Sequence, residues 1–347
     1  MKALTGRCMT VLNVAAYCSD EIAKSIAKPT DQRDVHTYVY KEGVGENARI
    51  ISLIRPAKYP ERLRPLLNSL SVSNVGIIEV TKIDATLGEV IVAFSSAKIN
   101  HGLVIINPPT GEWIDEETVT KLISQAGLSN WTIAANDGIE LRGKLFDLMD
   151  EISEELAAIS ESSLIVSVDQ HFNVKGIGLV AIGYVQSGKV DVHDEVFILP
   201  AKGTGTTKSL QVMDDDVPTA SAGDRVGIAL RNCKEEHLSN GSIIVRPAIE
   251  DKKTNTSIPL AVDEHNCSSL QIAVSPFQKR VLAAGDVIHI SVDLQFIVGR
   301  IVSVDGSQIV VQWDSPVYIR IENQAPAIIS QLDSNPRIIG HAVVSLN

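Results

Sequence analysis

Lys175-Gly176-Ile177-Gly178-Leu179-Val180-Ala181-Ile182-Gly183 runs into Tyr184-Val185-Gln186-Ser187-Gly188-Lys189-Val190 and then Asp194-Glu195-Val196. Apolar residues punctuated by glycines in this way suit strand, turn and strand, because tight hairpins need positive φ and crossing strands need close backbone approach. The opening Gly-x-Gly invites reading as a dinucleotide loop. Such a loop must open a helix whose free N–H groups meet the phosphates, and this one sits between two strand patterns. The run is therefore β, and Ala222-Gly223-Asp224-Arg225-Val226-Gly227 and Asn240-Gly241 supply further turns of the same kind.

Outward from that run, 164–168, 178–185, 195–199, 226–230 and 242–245 read as short strands separated by Gly, Asp and Asn, the texture of an antiparallel barrel. A polar stretch from Pro247 to about Asn266 reads as a connector, and 286–294, 296–304, 308–313 and 317–321 are again β-rich. Before Ile159, apolar runs at 10–17, 49–54, 76–80, 103–106 and 131–135 alternate with amphipathic segments, which predicts βαβ units and a mostly parallel sheet. A last helix from about Glu140 puts Leu141, Leu145, Leu148, Met149, Ile152 and Leu156 on one face. The expected chain is multidomain: an α/β domain over 1–160, a β-barrel over 161–250, and a second barrel over 251–347 opened by a linker at 251–266.

Composition bounds the function. The 347 residues are 44% hydrophobic and 21% charged, values of an ordinary folded chain and not of a disordered or collagen-like one. A formal net charge of -11 and only 4% aromatics exclude general phosphate attraction and base stacking as the main business of the surface. DNA is not an expected partner, and any RNA contact must be local. Cys8, Cys18, Cys233 and Cys267 form no C-x-x-C pair, and the histidines, His101, His193 and His289 among them, lack metal-ligand spacing. Met1 to Cys18 has a faint look of a secretory signal, interrupted by Asn13, but 10–17 reads better as a buried first strand. No run approaches the ~20 apolar residues of a membrane span, so the expected setting is the cytoplasm without membrane contact.

The glycine-punctuated run, its Asp194-Glu195-Val196, the Ala222-Gly223-Asp224 turn and Asn240-Gly241 together resemble the second domain of translational GTPases, where the pattern reads G-x-G-x-V-x-x-G-x-V-x-x-G-x-[VI], G-D-E-V and A-G-D-x-V-G. Asn335-Pro336-Arg337-Ile338-Ile339-Gly340-His341-Ala342-Val343-Val344 resembles the closing strand of the third domain in elongation factor Tu, its archaeal counterpart and the selenocysteine-specific factor. The resemblance implies a P-loop-GTPase-like first domain before the two barrels.

If so, a phosphate loop G-x-x-x-x-G-K-[ST] belongs where the chain has Cys18-Ser19-Asp20-Glu21-Ile22-Ala23-Lys24-Ser25, with Cys18 and Ala23 in place of both glycines and Lys24 and Ser25 kept. The same residues also suit a plain helix start. The family's magnesium-proximal D-x-P-G-H aligns with Arg55-Pro56-Ala57-Lys58-Tyr59, where Arg55 and Lys58 replace carboxylate and glycine. At ~4 Å and an effective dielectric of ~20, that exchange turns about 4 kcal/mol of attraction to a cation into repulsion. Alternatively, Arg55 or Lys58 neutralises phosphates in magnesium's place. Tyr59 stands where the family has its water-positioning histidine, and a phenol of pKa ~10 is a poor proton acceptor at neutral pH. The guanine-reading N-K-x-D aligns with Asn107-Pro108-Pro109-Thr110, and the later S-A with Ala134-Ala135. The resemblance thus implies nucleotide-binding positions at Cys18, Ala23, Lys24, Ser25, Arg55, Lys58, Asn107, Thr110 and Ala135, degraded at three places, with no catalytic residue and no metal site.

In the second domain, the family's pocket for an esterified amino acid aligns with Val168-Asp169-Gln170-His171-Phe172, which keeps an acid, Asp169, and an aromatic, Phe172. Phe172 equally suits a cap on the barrel core. A stretch that touches the tRNA end, G-[IV]-K-R-E-[DE], is here Asn232-Cys233-Lys234-Glu235-Glu236-His237, with arginine replaced by Glu235. Three readings follow: a pseudo-GTPase paralogue of elongation factor Tu that binds or regulates within translation and needs no cofactor; an atypical factor that still hydrolyses GTP with magnesium and delivers a tRNA; and a protein-interaction module without RNA contact. The ribosome, a tRNA or other translation proteins are the expected partners.

Overall fold

A computed structural model describes residues 10–44, 48–251 and 256–346. The reading of Met1 to Met9 as a signal-like start falls outside them. In the first domain β1 (Thr10–Tyr17) leads to α1 (Asp20–Ile26), the hairpin β2 (Lys28–Gln32) and β3 (His36–Glu42), then β4 (Arg49–Arg55), α2 (Arg64–Ser71), β5 (Val75–Val80), α3 (Ala85–Ser96), β6 (His101–Ile106), α4 (Glu116–Gln125), β7 (Thr132–Ala134), α5 (Gly138–Glu151) and α6 (Ser153–Ser160). The sheet order is β2-β3-β4-β1-β5-β6-β7, parallel from β4 to β7 and antiparallel at the β2-β3 end. Helices cover both faces, so the inner strands are apolar throughout: every residue of Val75–Val80 is buried, Glu79 included. The β2-β3 hairpin went unread in the sequence because β2 is polar at the sheet edge and β3 offers only the short apolar run Tyr38-Val39-Tyr40. The last helix starts at Gly138, not Glu140, and breaks at Ile152 into two.

The second domain comprises β8 (Ile165–Val174), β9 (Gly178–Ser187), β10 (Lys189–Asp191), β11 (Glu195–Leu199), β12 (Gly203–Val212), β13 (Asp215–Val217), β14 (Thr219–Ser221), β15 (Arg225–Arg231) and β16 (Ile243–Val245). Six of these strands close a barrel, β11-β16-β8-β9-β15-β12, through the β11–β12 pairing. Gly183 is required where β9 crosses β8: a Cβ there would strike the Ser167 carbonyl.

A two-stranded ribbon, β17 (Ile249–Asp251) with β18 (Thr256–Ile258), precedes the third domain. Its closed six-strand barrel is formed by β19 (Val262–Val274), β20 (Val287–Val292), β21 (Gln295–Asp305), β22 (Gln308–Arg320), β23 (Ala327–Ser330) and β24 (Ile338–Val344). Two sequence boundaries are corrected here. Residues 262–266, read as connector, are the start of β19, where Val262 pairs with Arg320. Segments 308–313 and 317–321, read as two strands, are joined in β22 by residues that shift register and do not turn the chain.

The three domains share cores. Ile328 and Ile338 of the third domain pack into the cluster formed by α2, α3 and the sheet, and Ile54, Val72, Tyr184 and Leu294 make one small cluster from all three domains. Polar ties run along the same seams. Asn13 Nδ2 donates to Gly223 O at 2.7 Å, and Gln186 accepts from Arg320 at 3.0 Å while donating to Ser71 O at 3.3 Å. Arg320 itself pairs with the buried Asp293 at this seam.

Candidate functional site

An open α/β sheet takes its ligand at the carboxyl ends of its strands, and the positions singled out in the first domain lie in segments that follow β1, β4, β6 and β7. Only Cys18 and Ser19 separate β1 from α1, so the residues aligned with a phosphate loop are mostly helical. Ser19 caps that helix, its hydroxyl accepting from Ile22 N at 3.4 Å, which is a plain helix start with no room for a wide cradle. Ala23 is buried and its N–H donates to Ser19 O at 3.2 Å. Lys24, in the second turn, pairs with Asp20 at 2.5 Å, and the Ser25 hydroxyl donates to Ile22 O at 2.8 Å.

The chain's own acids occupy the neighbouring donors. Glu79, at the end of β5, accepts from Ser19 N at 2.5 Å through one oxygen and from Asn107 Nδ2 at 2.7 Å through the other. Asp20 accepts from Tyr38 Oη at 2.5 Å. The hydrogen bond from Lys24 holds the Asp20 carboxyl below its ordinary range, while burial and the bond to Asp20 push the Tyr38 phenol up to about 12. Arg55 Nε donates to Cys18 O at 2.6 Å, and burial pushes the Cys18 thiol up to about 12, an inert group. Lys58, Thr110 and Ala135 are exposed. Tyr59 turns away from this edge and into the protein: it is 7% exposed and its hydroxyl donates to Glu89 at 3.0 Å. Burial would raise the Glu89 carboxyl, but Arg337 of the third domain hydrogen-bonds both of its oxygens and holds it low.

A second recess opens where the three domains meet, a cavity of about 750 Å³. Asp169 lines it, at an irregularity of β8, 3.4 Å from Arg33 of the first domain and 3.9 Å from Arg225; Asp31 completes the cluster, 2.6 Å from Arg33 and 3.4 Å from Arg225. Phe172 is not part of this lining; it is 39% exposed further along β8, and it does not cap the barrel core either. The structure thus separates two residues that the sequence placed in one pocket. Glu235 accepts from Asn173 Nδ2 at 2.6 Å. Among the described residues no group of three or more His, Cys, Asp or Glu is placed to hold a metal ion, and no helix is long and apolar enough to cross a membrane.

Residues 178–245 match the family model for elongation factor Tu domain 2. Over 105 residues the chain is 38% identical to the selenocysteine-specific elongation factor of Methanocaldococcus jannaschii, a match spanning 30% of this chain and 22% of that relative. The second domain is thus an elongation factor Tu domain 2-like barrel, in a chain similar in part to selenocysteine-specific and archaeal elongation factors. An uncharacterized protein of the same archaeon is 27% identical over 274 residues, covering 79% of this chain and 80% of that one. By fold, SelB of Methanococcus maripaludis in complex with the GTP analogue GppNHp superposes with a TM-score of 0.73 at 18% identity, over 98% of this chain and 80% of that chain.

The α/β domain and two closed barrels are the architecture shared with the SelB structures. Sequence reasoning located Cys18, Lys24, Arg55 and Asn107 but missed Glu79, Asp20 and Tyr38 as their partners, and it missed the Tyr59–Glu89–Arg337 link. One signal was present: a carboxylate inside the apolar run Val75-Gly76-Ile77-Ile78-Glu79-Val80 must find donors or shift its charge.

Proposed function

We propose that this chain is an elongation-factor-like scaffold, a pseudo-GTPase whose first domain holds the two barrels in one arrangement without a nucleotide cycle. The observation that carries the reading is Glu79: its two oxygens take the Ser19 N–H and the Asn107 amide, donors from the segments aligned with the phosphate loop and the guanine-reading motif. A triphosphate would have to displace a carboxylate and then sit beside it. The residues present do not fit magnesium-bound GTP either, since Arg55 stands at the metal-proximal position, Lys24 is engaged by Asp20, and Tyr59 is committed to Glu89. With Tyr59 and Arg337 both on Glu89, the segment after β4 is tied to the third domain. In the family's factors the corresponding histidine positions the attacking water.

The scaffold would work in the cytoplasm beside the translation machinery, on a tRNA, the ribosome or another translation protein. The recess lined by Asp169 is the place for such a ligand, while Glu235 in place of arginine argues against ordinary carriage of an aminoacylated tRNA. The test is a titration with a fluorescent GTP analogue, with and without magnesium, followed by phosphate release. No saturable binding in the micromolar range is expected. Magnesium-dependent micromolar binding with turnover that needs Lys24 overturns the reading in favour of an atypical GTPase.

A further inference from the structure

The ends of β6 and β7 carry a groove that the scaffold reading leaves unused. Ile106, Ile114, Ile133 and Ala134 line it together with Trp113, Asp115 and Glu116. Trp113 is 80% exposed, in contrast to the buried Trp131 and Trp313, and Ile139, 74% exposed, opens α5 three residues past Asn136 of the same lining. Large apolar side chains left in water beside an apolar groove mark a surface that is covered by something.

Charge says what covers it. Segments 106–117 and 132–140 contain Glu112, Asp115, Glu116, Glu117, Asp137 and Glu140 and no lysine or arginine. Lys121 and Lys144 answer Glu117 and Glu140 one turn along their helices. Asp115 and Asp137 cap α4 and α5. Those helix starts offset them only partly, each contributing roughly half a positive charge. Four carboxylates against about one unit leave a clearly negative rim, which repels a phosphate chain. A guanidinium or ammonium group gains there twice, from the carboxylates and from the face of the indole.

We propose that this groove docks a basic segment of a protein partner, a stretch bearing arginine or lysine whose aliphatic residues cover Trp113 and Ile139. The lining includes Ala135, aligned with the family's S-A element, so the proposal rests on the scaffold reading that leaves this place free of nucleotide; the test uses no nucleotide, and its failure leaves the reading of Glu79 untouched.

The experiment titrates the full chain with a synthetic peptide of alternating arginine and leucine, reading indole emission and, with a labelled copy, anisotropy. Saturable binding with a blue shift of Trp113 and weakening by salt is expected. Trp113→Ala should lower the affinity about tenfold, as loss of a central aromatic anchor does. The double variant Glu112→Gln with Glu116→Gln should flatten the salt dependence; both side chains are exposed, so folding is not at stake. Three results overturn the proposal: no binding, equal affinity for wild type and Trp113→Ala, which would reduce the attraction to the general negative charge of the chain, or a Trp113-dependent dimer in sedimentation, which would make a second copy the occupant.

Discussion

Two short turns in this molecule treat the family pattern in opposite ways. The turn before β15 keeps Ala222-Gly223-Asp224: Gly223 has φ of 95°, its carbonyl accepts from Asn13 of the first domain, and the Asp224 carboxylate accepts from Ser221 N at 2.7 Å. The turn between β1 and α1 has lost both glycines of the phosphate loop, and its Ser19 N–H goes to Glu79. Every partner of the first turn belongs to the chain, so its residues have backbone work to do whatever is bound. On the scaffold reading, the glycines of the second pattern have work only when a phosphate is present, and here the Ser19 N–H is taken by the Glu79 carboxylate of β5. The glycine of the first turn has a partner in the chain and is kept, whereas positions 18 and 23 of the second carry Cys and Ala beside the retained Lys24 and Ser25.

The comparison can be broken at several points. The largest effect should come from Glu89→Ala, which strips Tyr59 and Arg337 of their shared acceptor. Leaving one member of a largely buried pair without its partner costs about 3 kcal/mol, read as a lowered midpoint in urea unfolding and as an opened first and third domain in small-angle scattering. An unchanged midpoint would mean that this seam does not hold the domains.

An effect of similar size, but spread over the pH range between the two values, is expected at Asp224, whose carboxyl burial pushes up to about 7 from an unfolded value of 3.8. Between those values the folded chain keeps a proton that the unfolded chain has released. Stability from this group is therefore full near pH 4 and falls as pH rises towards 7, by up to ~1.4 kcal/mol per pH unit. Asp224→Asn keeps an acceptor for Ser221 N and should flatten that slope, raising stability at pH 8 while leaving it unchanged at pH 4 in denaturant titrations. A slope as steep in the variant as in the wild type would assign the pH dependence elsewhere.

The smallest effect belongs to Lys24→Ala. Lys24 and Asp20 form an exposed ion pair within one short helix, worth about 0.5 kcal/mol or less. The variant should match the wild type in stability and in its indifference to GTP. A rise in the wild type's unfolding midpoint with GTP that the variant lacks would restore Lys24 as a phosphate ligand.

Much of this was legible beforehand for physical reasons. Buried parallel strands such as 10–17 and 76–80 announce themselves because both faces are covered, and several barrel turns announce themselves by a glycine at positive φ, as at Gly188, Gly223 and Gly241. The β2-β3 hairpin had no such signature. In the site, the loss of glycines at 18 and 23 and the cations at 55 and 58 could be read directly, but the pairing of Asp169 with Arg33 and Arg225, and its separation from Phe172, could not.

By itself the amino-acid order determined the alternation of helices and strands in the first domain, the glycine-punctuated barrel, and the replacement of both phosphate-loop glycines at 18 and 23 and the cations at 55 and 58, because each depends on local stereochemistry or on the sign of a charge. Only the tertiary structure decided that Glu79 satisfies the vacated donors, that Tyr59 faces Arg337 and that Trp113 overhangs an acidic groove. Those facts join residues from different strands and domains, and their proximity is set by sheet order and packing, which no local pattern encodes.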